Sequence, residues 1–398
     1  MNTSGHESTD QRSNPADLRA GLWELCRTFL KLGVIGFGGP AAHVALMRQE
    51  VVVCKKWLSD QTFVDLLAAT NVIPGPNSTE MAIHIGALKW GWRGMLAAGI
   101  CFILPAALIA TCLAWFYLEF GRLPEVDGML RGVKPVIIVV VFQALWGLGR
   151  AVLTRPAMIA TAGTAATLTA LGLHELAVLF GSGVVLALWG MMAGARQNPR
   201  LYAALPVPAL LLAAPTSITT FTLGGMFWTF FKIGSVLFGS GYVLLAYLRA
   251  DFVERHGWLS EAQLLDAVAL GQALPGPIFT TATFIGCLLG GLPGGAVATV
   301  GIFLPSFLFV VLSHRIVSAS RRHPVLGAFL DGLNAASLAL MAVVTAALAR
   351  VAVVDFPSAV ISLSAAAAIL WWRVQPGWVL AGGAAAGLLL RVLAEEWR

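Results

Sequence analysis

The tripeptide Pro-Gly-Pro occurs twice, at residues 74–76 and 275–277. Proline lacks a backbone donor and clashes with the preceding turn, so each copy should end one helix and allow another to begin. With Gly75 or Gly276 as the N-cap, the next backbone N–H groups have no partner within their helix. They also lie at the positive end of its dipole. Two such helix ends facing each other would offer neutral donors to an oxyanion.

The residues that follow each Pro-Gly-Pro add polar side chains to these donors. Glu80 and His84 follow only the first copy, one turn apart on one helix face. A carboxylate present in one copy alone is either a proton-coupling group or a fixed charge that complements the helix dipole. The alternative for both breaks is a pair of kinks that only shape a helix bundle. The other candidate binding residues at the breaks are Gly75, Pro76, Asn77, Ser78, Thr79, Gly276, Pro277, Thr280, Thr281 and Thr283.

Two glycine clusters and four cations form a second set of candidates. The clusters GVIGFGGP (Gly33–Pro40) and FGSGY (Phe238–Tyr242) permit irregular backbone, which suits a cavity lining or close helix packing. An ionisable residue in an apolar stretch is a functional candidate, unless it snorkels to the membrane interface. Cations just beyond these stretches either attract an anion or set the loop topology. The candidates are Lys31, Gly38, Gly39, Arg48, Lys232, Gly239, Ser240, Gly241 and Arg249.

An internal repeat places these candidates at matching positions in two halves. TFLKLGVIGFGG (Thr28–Gly39) reappears as TFFKIGSVLFGS (Thr229–Ser240), an offset of 201 that also relates the two Pro-Gly-Pro copies. One residue is then lost, and an offset of 200 relates Leu104-Pro105 to Leu304-Pro305. A shared bias toward Leu, Ala and Gly cannot produce matched Lys, Arg and Pro-Gly-Pro. We predict a first transmembrane repeat over 21–200, a second over 201–398, and a disordered cytoplasmic tail over 1–20.

The composition requires both halves to lie in a membrane. Of the 398 residues, 58% are apolar and 12% are charged, against about 25% charged in a typical soluble domain. Apolar runs of roughly 20 residues, each long enough to span a bilayer, recur along the chain. We therefore predict an all-α polytopic transmembrane helix bundle, built from two homologous halves with Pro-Gly-Pro-broken helices. The net charge of +6 suits cytoplasmic loops and requires no nucleic acid.

Gly/Pro-broken segments at matching positions of two repeats are typical of secondary transporters, whose substrate sites lie near the bilayer midplane. The sequence has no GxxxxGK[ST], HExxH or GxSxG motif and no convergent nucleophile–base or metal-ligand set. An ATP-driven pump and an enzyme are therefore disfavoured, and no catalytic residue, metal or cofactor is predicted. A membrane-embedded enzyme or an assembly scaffold remains the alternative from a different class.

Three segments resemble motifs of the chromate ion transporter family. They are FLKLGVIGFGGPAAHVALM (Phe29–Met47), NVIPGPNSTEMAIHIG (Asn71–Gly86) and ALPGPIFTTATFIG (Ala273–Gly286), and the resemblance covers roughly residues 25–345. It implies export of chromate across the bacterial cytoplasmic membrane, chromate resistance, and halves of opposite orientation. Ser240 stands where the resemblance leads us to expect glycine, and we recognise no family motif in residues 355–398.

The cargo expected from this resemblance has a close chemical relative. Chromate and sulfate are near-isosteric tetrahedral dianions, which open N–H and hydroxyl donors should distinguish poorly. Sulfate is therefore a candidate competitor, and a carrier of sulfate or another oxyanion is the runner-up function. Membrane lipid and a second copy of the chain, in a homodimer, are the other expected partners.

Overall fold

The computed structural model describes residues 15–37, 39–121, 123–195, 220–238, 241–320 and 324–396, which are mainly helical and contain no strand. The first-half helices are α1 (Pro15–Ile35), α2 (Gly39–Arg48), α3 (Asp60–Thr70), α4 (Asn77–Phe120), α5 (Pro124–Val152), α6 (Pro156–Ala170) and α7 (Glu175–Ala195). Those of the second half are α8 (Leu223–Val236), α9 (Leu244–Leu248), α10 (Glu261–Ala273), α11 (Thr281–Ser320), α12 (Pro324–Ala352), α13 (Phe356–Leu370) and α14 (Pro376–Glu396).

The second half repeats the first helix by helix, which confirms the two homologous halves. A π-helical turn follows α2 over Gln49–Cys54 and follows α9 over Arg249–Arg255. Both α4 and α11 reverse direction sharply, at Trp90-Gly91 and at Gly290-Gly291. Helix α1 begins at Pro15 and includes the last six residues of the expected tail. The expected boundary between the halves, at residue 200, lies outside the described residues.

Each half begins with two helical hairpins whose tips are the motifs singled out in the sequence. Lys31 pairs with Glu50, and Glu24 with Lys55, so α1 and the α2 arm run antiparallel with the glycine cluster at their tip. The second hairpin joins α3 to the first part of α4 through the first Pro-Gly-Pro. Its base is closed by Trp57 and Trp90, whose rings lie 5.7 Å apart.

The two halves run in opposite directions. Tyr117 lies about 40 Å along α4 from the first hairpin base at Trp90, at 1.5 Å per residue. It donates a hydrogen bond of 2.9 Å to Asp266 and stacks edge-on against Phe284, 5.6 Å between ring centroids. Both partners lie within about two turns of the hairpin base of the second half, near Trp258. The two hairpin bases are therefore at opposite ends of the molecule, as inverted repeats require.

Six helical stretches of the described chain are long and apolar enough to cross a membrane: Asn77–Phe120, Pro124–Val152, Glu175–Met192, Ile278–Leu312, Val325–Ala352 and Pro376–Leu393. The last helices of each half pack against the other half. Helix α5 of the first half packs on α13 and α14, and α12 of the second half packs on α6 and α7. Glycines allow this close approach, and a Cβ on Gly132 of α5 would overlap the backbone of Gly383 and Gly387 on α14.

Candidate functional site

Each Pro-Gly-Pro break lies against the glycine cluster of the opposite half. The Gly75 N–H donates to the Leu237 carbonyl at 2.9 Å, and the Gly276 N–H donates to the Gly36 carbonyl at 2.7 Å. Gly36 and Leu237 occupy the same position of the repeat, so the two hydrogen bonds are related by the pseudo-symmetry of the halves. The two broken helices therefore meet at the interface between the repeats.

The close contact at this interface depends on glycine. Gly75 and Gly276 have φ values of 136° and 88°, which L side chains rarely adopt. A Cβ on Gly75 would overlap the carboxyl group of Glu80 and lie 2.8 Å from the Ser306 hydroxyl of α11. A Cβ on Gly276 would lie 2.7 Å from the methyl group of Ala106 on α4. Ala106 and Ser306 are repeat counterparts midway along the two long helices, so the crossing lies deep within the bundle.

The helices after the breaks begin one residue later than the sequence suggested. Pro76, rather than Gly75, is the N-cap of α4, with an extended ψ of 97°. Pro277 is likewise the N-cap of a 3-10 turn that leads into α11. The cause is that the N–H groups of both glycines bond across the repeat interface, which holds the glycines outside the helices. Neither helix end has a side-chain cap, and the first free N–H groups belong to residues 77–78 and 278–279.

The polar side chains at the second break are satisfied locally. Thr280 and Thr281 donate their hydroxyls to the carbonyls three residues earlier, at 2.7 and 2.8 Å. Thr283 shares a 2.7 Å hydrogen bond with Thr299 of the same helix. These hydroxyls therefore support the local helix, and Pro277 and the backbone N–H groups are what the second break presents to the interface.

The first break differs, because its polar side chains are buried without such local bonds. Ser78, Thr79 and Glu80 are at most 2% exposed. Within the described residues, the Thr79 hydroxyl, both Glu80 oxygens and the Ser306 hydroxyl lack a hydrogen bond of good geometry. Asn77 is the exception, since its amide donates to the Asn71 side chain across the break at 2.8 Å. The unsatisfied polar atoms at the crossing are therefore concentrated at the first break.

Two histidines lie close to the breaks. His84 is buried one turn beyond Glu80. His43 of α2 is 2% exposed, and its Nε2 lies 2.9 Å from the Gly36 carbonyl that also accepts from Gly276. Sequence reasoning missed His43 and Ser306. The signal was present, because the repeat counterpart of each one is apolar: Leu244 for His43 and Ala106 for Ser306.

The four candidate cations pair with carboxylates of their own half. The pairs recur in both halves: Lys31 with Glu50 at 2.9 Å, Lys232 with Asp251 at 2.5 Å, Arg48 with Asp60 at 2.6 Å, and Arg249 with Glu261 at 2.7 Å. The Lys31 side chain is 55% exposed, whereas the residues of the first break are buried. The two lysine pairs join the arms of the first hairpin of each half, and the two arginine pairs join that hairpin to the next one.

The described parts of the glycine clusters also approach each other. Gly39 has a φ of 79°, and its Cβ position would lie 3.5 Å from the Tyr242 hydroxyl. Gly241 is buried and lines, with Tyr242 and Thr281, a cavity of about 10 Å³, which is room for about one water molecule. This cavity is too small for a tetrahedral oxyanion. Gly38, Gly239 and Ser240 lie outside the described residues.

A wider cleft, of about 1020 Å³, opens between α5, α13 and α14. Lys134 lines it and also pairs at 3.1 Å with Asp266 of α10, the helix that precedes the second break. No His, Cys, Asp and Glu cluster suited to a metal ion occurs in the described part of the chain. The other charged side chains that line the cleft are Asp127, Arg131, Asp355 and Arg391.

Inverted repeats whose broken helices cross at the repeat interface are the architecture of a membrane transporter, and the six apolar helices make the chain a multi-pass integral membrane protein. The chain belongs to the chromate transporter family, whose model matches residues 23–191 and 224–388. The two matched regions correspond to the two halves, and in bacteria such a protein lies in the cytoplasmic membrane.

Curated relatives agree over most of the chain. It is 31% identical over 374 residues to the chromate transport protein of Cupriavidus metallidurans, which covers 92% of this chain and 93% of the relative. It is 33% identical over 356 residues to the chromate transport protein of Pseudomonas aeruginosa, covering 87% and 85%. The probable chromate transport protein of Synechococcus elongatus is 32% identical over 359 residues, covering 86% and 88%. No solved structure matches the chain.

Proposed function

We propose that this protein exports chromate across the cytoplasmic membrane and thereby confers chromate resistance, with the anion bound where the two breaks cross. The observation that carries the proposal is the pair of pseudo-symmetric hydrogen bonds from Gly75 and Gly276 to the opposite half. These bonds hold two uncapped helix N-termini at the repeat interface. Helix N-termini bind anions through open N–H groups and the helix dipole, and transporters of this architecture bind substrate at that interface.

The anion would be held mainly by the backbone. The donors are the N–H groups of residues 77–78 and 278–279, with the Ser78 hydroxyl beside them. Because the described cavity at the second break holds about one water molecule, the two halves must move apart at the crossing to admit a tetrahedral dianion. Such a movement would break the hydrogen bonds that Gly75 and Gly276 donate to the opposite half, and the anion would take the space between the breaks.

The membrane potential would supply the driving force. Moving one charge across 100 mV is worth about 2.3 kcal/mol, so a dianion leaving a cell with a negative interior gains about twice that amount. No ATP is needed. The charged cleft beside α5 suits an approach route, because Lys134 links it to α10 and α10 leads directly to the second break.

The test is chromate efflux from vesicles that contain the purified protein, with a potassium diffusion potential of either sign. The proposal expects efflux that requires the protein, accelerates when the interior is negative, and slows when sulfate is added inside. Chromate-sensitive cells that express the protein should grow at higher chromate concentrations. Sulfate efflux without chromate efflux would favour the alternative oxyanion carrier, and the absence of flux of either ion would refute the transport function.

A further inference from the structure

We propose that the first break contains a proton-binding site, formed by Glu80 of the first half and Ser306 of the second, and that the second break contains none. This inference rests on the proposed function, in which the same crossing receives the anion. It assigns a coupling ion to that site and a role to a residue, Ser306, that belongs to neither Pro-Gly-Pro motif.

The first step is the position of the two side chains. Glu80 lies in the first turn of α4 and is 0% exposed. Its carboxyl group and the Ser306 hydroxyl both approach the point that a Cβ on Gly75 would occupy. Neither group has a hydrogen bond of good geometry among the described residues. A buried, unpaired carboxylate is costly in an apolar interior, so this position must either bind a proton or accept a hydrogen bond.

The second step is the comparison with the other break. The counterparts of Glu80 and Ser306 are Thr281 and Ala106. Thr281 cannot ionise and donates to a carbonyl of its own helix, and the Ala106 methyl group is apolar. The backbone geometry is shared by both breaks and requires neither polar side chain. The Glu80–Ser306 pair is therefore an addition to one break only.

The third step concerns the surrounding charges. The Glu80 carboxyl group is fully buried, and the Ser306 hydroxyl approaches it beside Gly75. Lys31 is paired with Glu50, and Asp266 with Lys134. The titratable or charged side chains on α4 near Glu80 and on the described parts of the elements packed against α4 are Glu24, Cys26, Arg27, Lys31, His43, Arg48, Asp60, Asp65, His84, Glu261, Asp266 and Cys287.

The ionised and protonated forms of Glu80 have different consequences for the anion. The ionised carboxylate accepts a charge-assisted hydrogen bond from Ser306 and complements the N-terminus of α4, where the anion also binds. Protonation removes that negative charge, so proton binding and anion binding favour each other. One proton that moves with each chromate reduces the charge carried from two to one. Ser306 is a positioning residue that links this change to the second half.

The direct test is an infrared titration of the purified protein in lipid nanodiscs, followed by the band of the protonated carboxyl group. Wild type should show a titrating band that Glu80→Gln lacks. Ser306→Ala should move the midpoint upward by about one pH unit, because the ionised form loses a charge-assisted hydrogen bond. Ser306→Thr keeps the hydroxyl and should keep the midpoint. Ala106→Ser is the matched control at the second break and should also leave it unchanged.

Several outcomes would overturn the proposal. A titrating band that survives Glu80→Gln assigns the proton elsewhere, and an unchanged midpoint in Ser306→Ala removes the role of the second half. A midpoint that follows sodium concentration would replace the proton by sodium. Added sulfate or chromate should raise the midpoint pH. A lower midpoint would contradict the claim that proton binding and anion binding favour each other.

A second arm separates this inference from the proposed function. In vesicles with an imposed pH gradient, Glu80→Gln should still move chromate but lose the dependence on that gradient. If wild type titrates but moves no chromate, the proton site stands and the transport function fails. If wild type moves chromate and Glu80→Gln keeps the same pH dependence, the transport function stands and the proton site fails.

Discussion

Replacing Gly276 by alanine should damage the repeat interface in two measurable ways. A φ of 88° costs a residue with a side chain about 1–2 kcal/mol. The new methyl group would also lie 2.7 Å from the Cβ of Ala106, and such overpacking typically costs about 1–3 kcal/mol. Gly276→Ala should therefore lower the free energy of unfolding by about 2–5 kcal/mol and slow chromate efflux.

Two further variants separate the backbone strain from the overlap. Gly172 has a φ of 83° and nothing within 4 Å of its Cβ position, so Gly172→Ala should lose only about 1–2 kcal/mol. Adding Ala106→Gly to Gly276→Ala removes the overlapping methyl group. The double variant should recover the free energy of unfolding that was lost to overpacking, less the roughly 0.5–1 kcal/mol that glycine costs within a helix.

The assay is unfolding by sodium dodecyl sulfate in mixed micelles, with chromate efflux from vesicles measured on the same preparations. Gly172→Ala should retain wild-type efflux, since this residue lies at the end of α6. The close approach at the second break would be refuted if Gly276→Ala were no less stable than Gly172→Ala. It would also be refuted if Ala106→Gly brought no recovery.

Five other substitutions have defined outcomes by the same unfolding assay. Lys232→Ala removes one of the two cations that pair with Asp251, which is 1% exposed and also contacts Arg255. This substitution should cost about 1.5–3 kcal/mol, whereas Lys31→Ala breaks an exposed pair and should cost under about 1 kcal/mol; equal losses would contradict this. Gly132→Ala, which overlaps α14, should cost about 1–3 kcal/mol, while Gly147→Ala on the same helix has open space and should stabilise by about 0.5–1 kcal/mol. Asp355→Ala should lose about 1 kcal/mol from the N-cap of α13. The hydrogen bonds to the first turn of α13 lower the pKa of Asp355, so wild type should lose this contribution only below about pH 4.

The repeat made much of the fold predictable from the sequence. The matched Pro-Gly-Pro copies predict two broken helices, because proline interrupts a helix whatever the distant contacts are. The apolar runs predict segments that span a membrane. The inverted orientation followed from the family resemblance, and the contact of Tyr117 with Asp266 now supports it. The reversal of α4 at Trp90-Gly91 was not predicted. It depends on a positive φ at Gly91, which lies between Lys89 and Arg93.

The contacts across the two breaks could not be read from the sequence, because each joins residues about 160–240 positions apart. Gly75 bonds to Leu237, and its other neighbour across the interface is Ser306. The pairing of Lys232 with Asp251 likewise depends on the fold of its hairpin. The sequence identified Lys232 as an unusual charge, and only the structure shows the carboxylate that it contacts.

The most direct test of the central claim is to locate chromium in crystals of the protein grown with chromate, using its anomalous scattering. Chromium should lie between the two breaks, in contact with the first N–H groups after Pro76 and Pro277. The two halves should then be further apart at Gly75 and Gly276 than in the present structure. A chromium site confined to the cleft around Arg131, with both glycine hydrogen bonds intact and no anion at the crossing, would contradict the account.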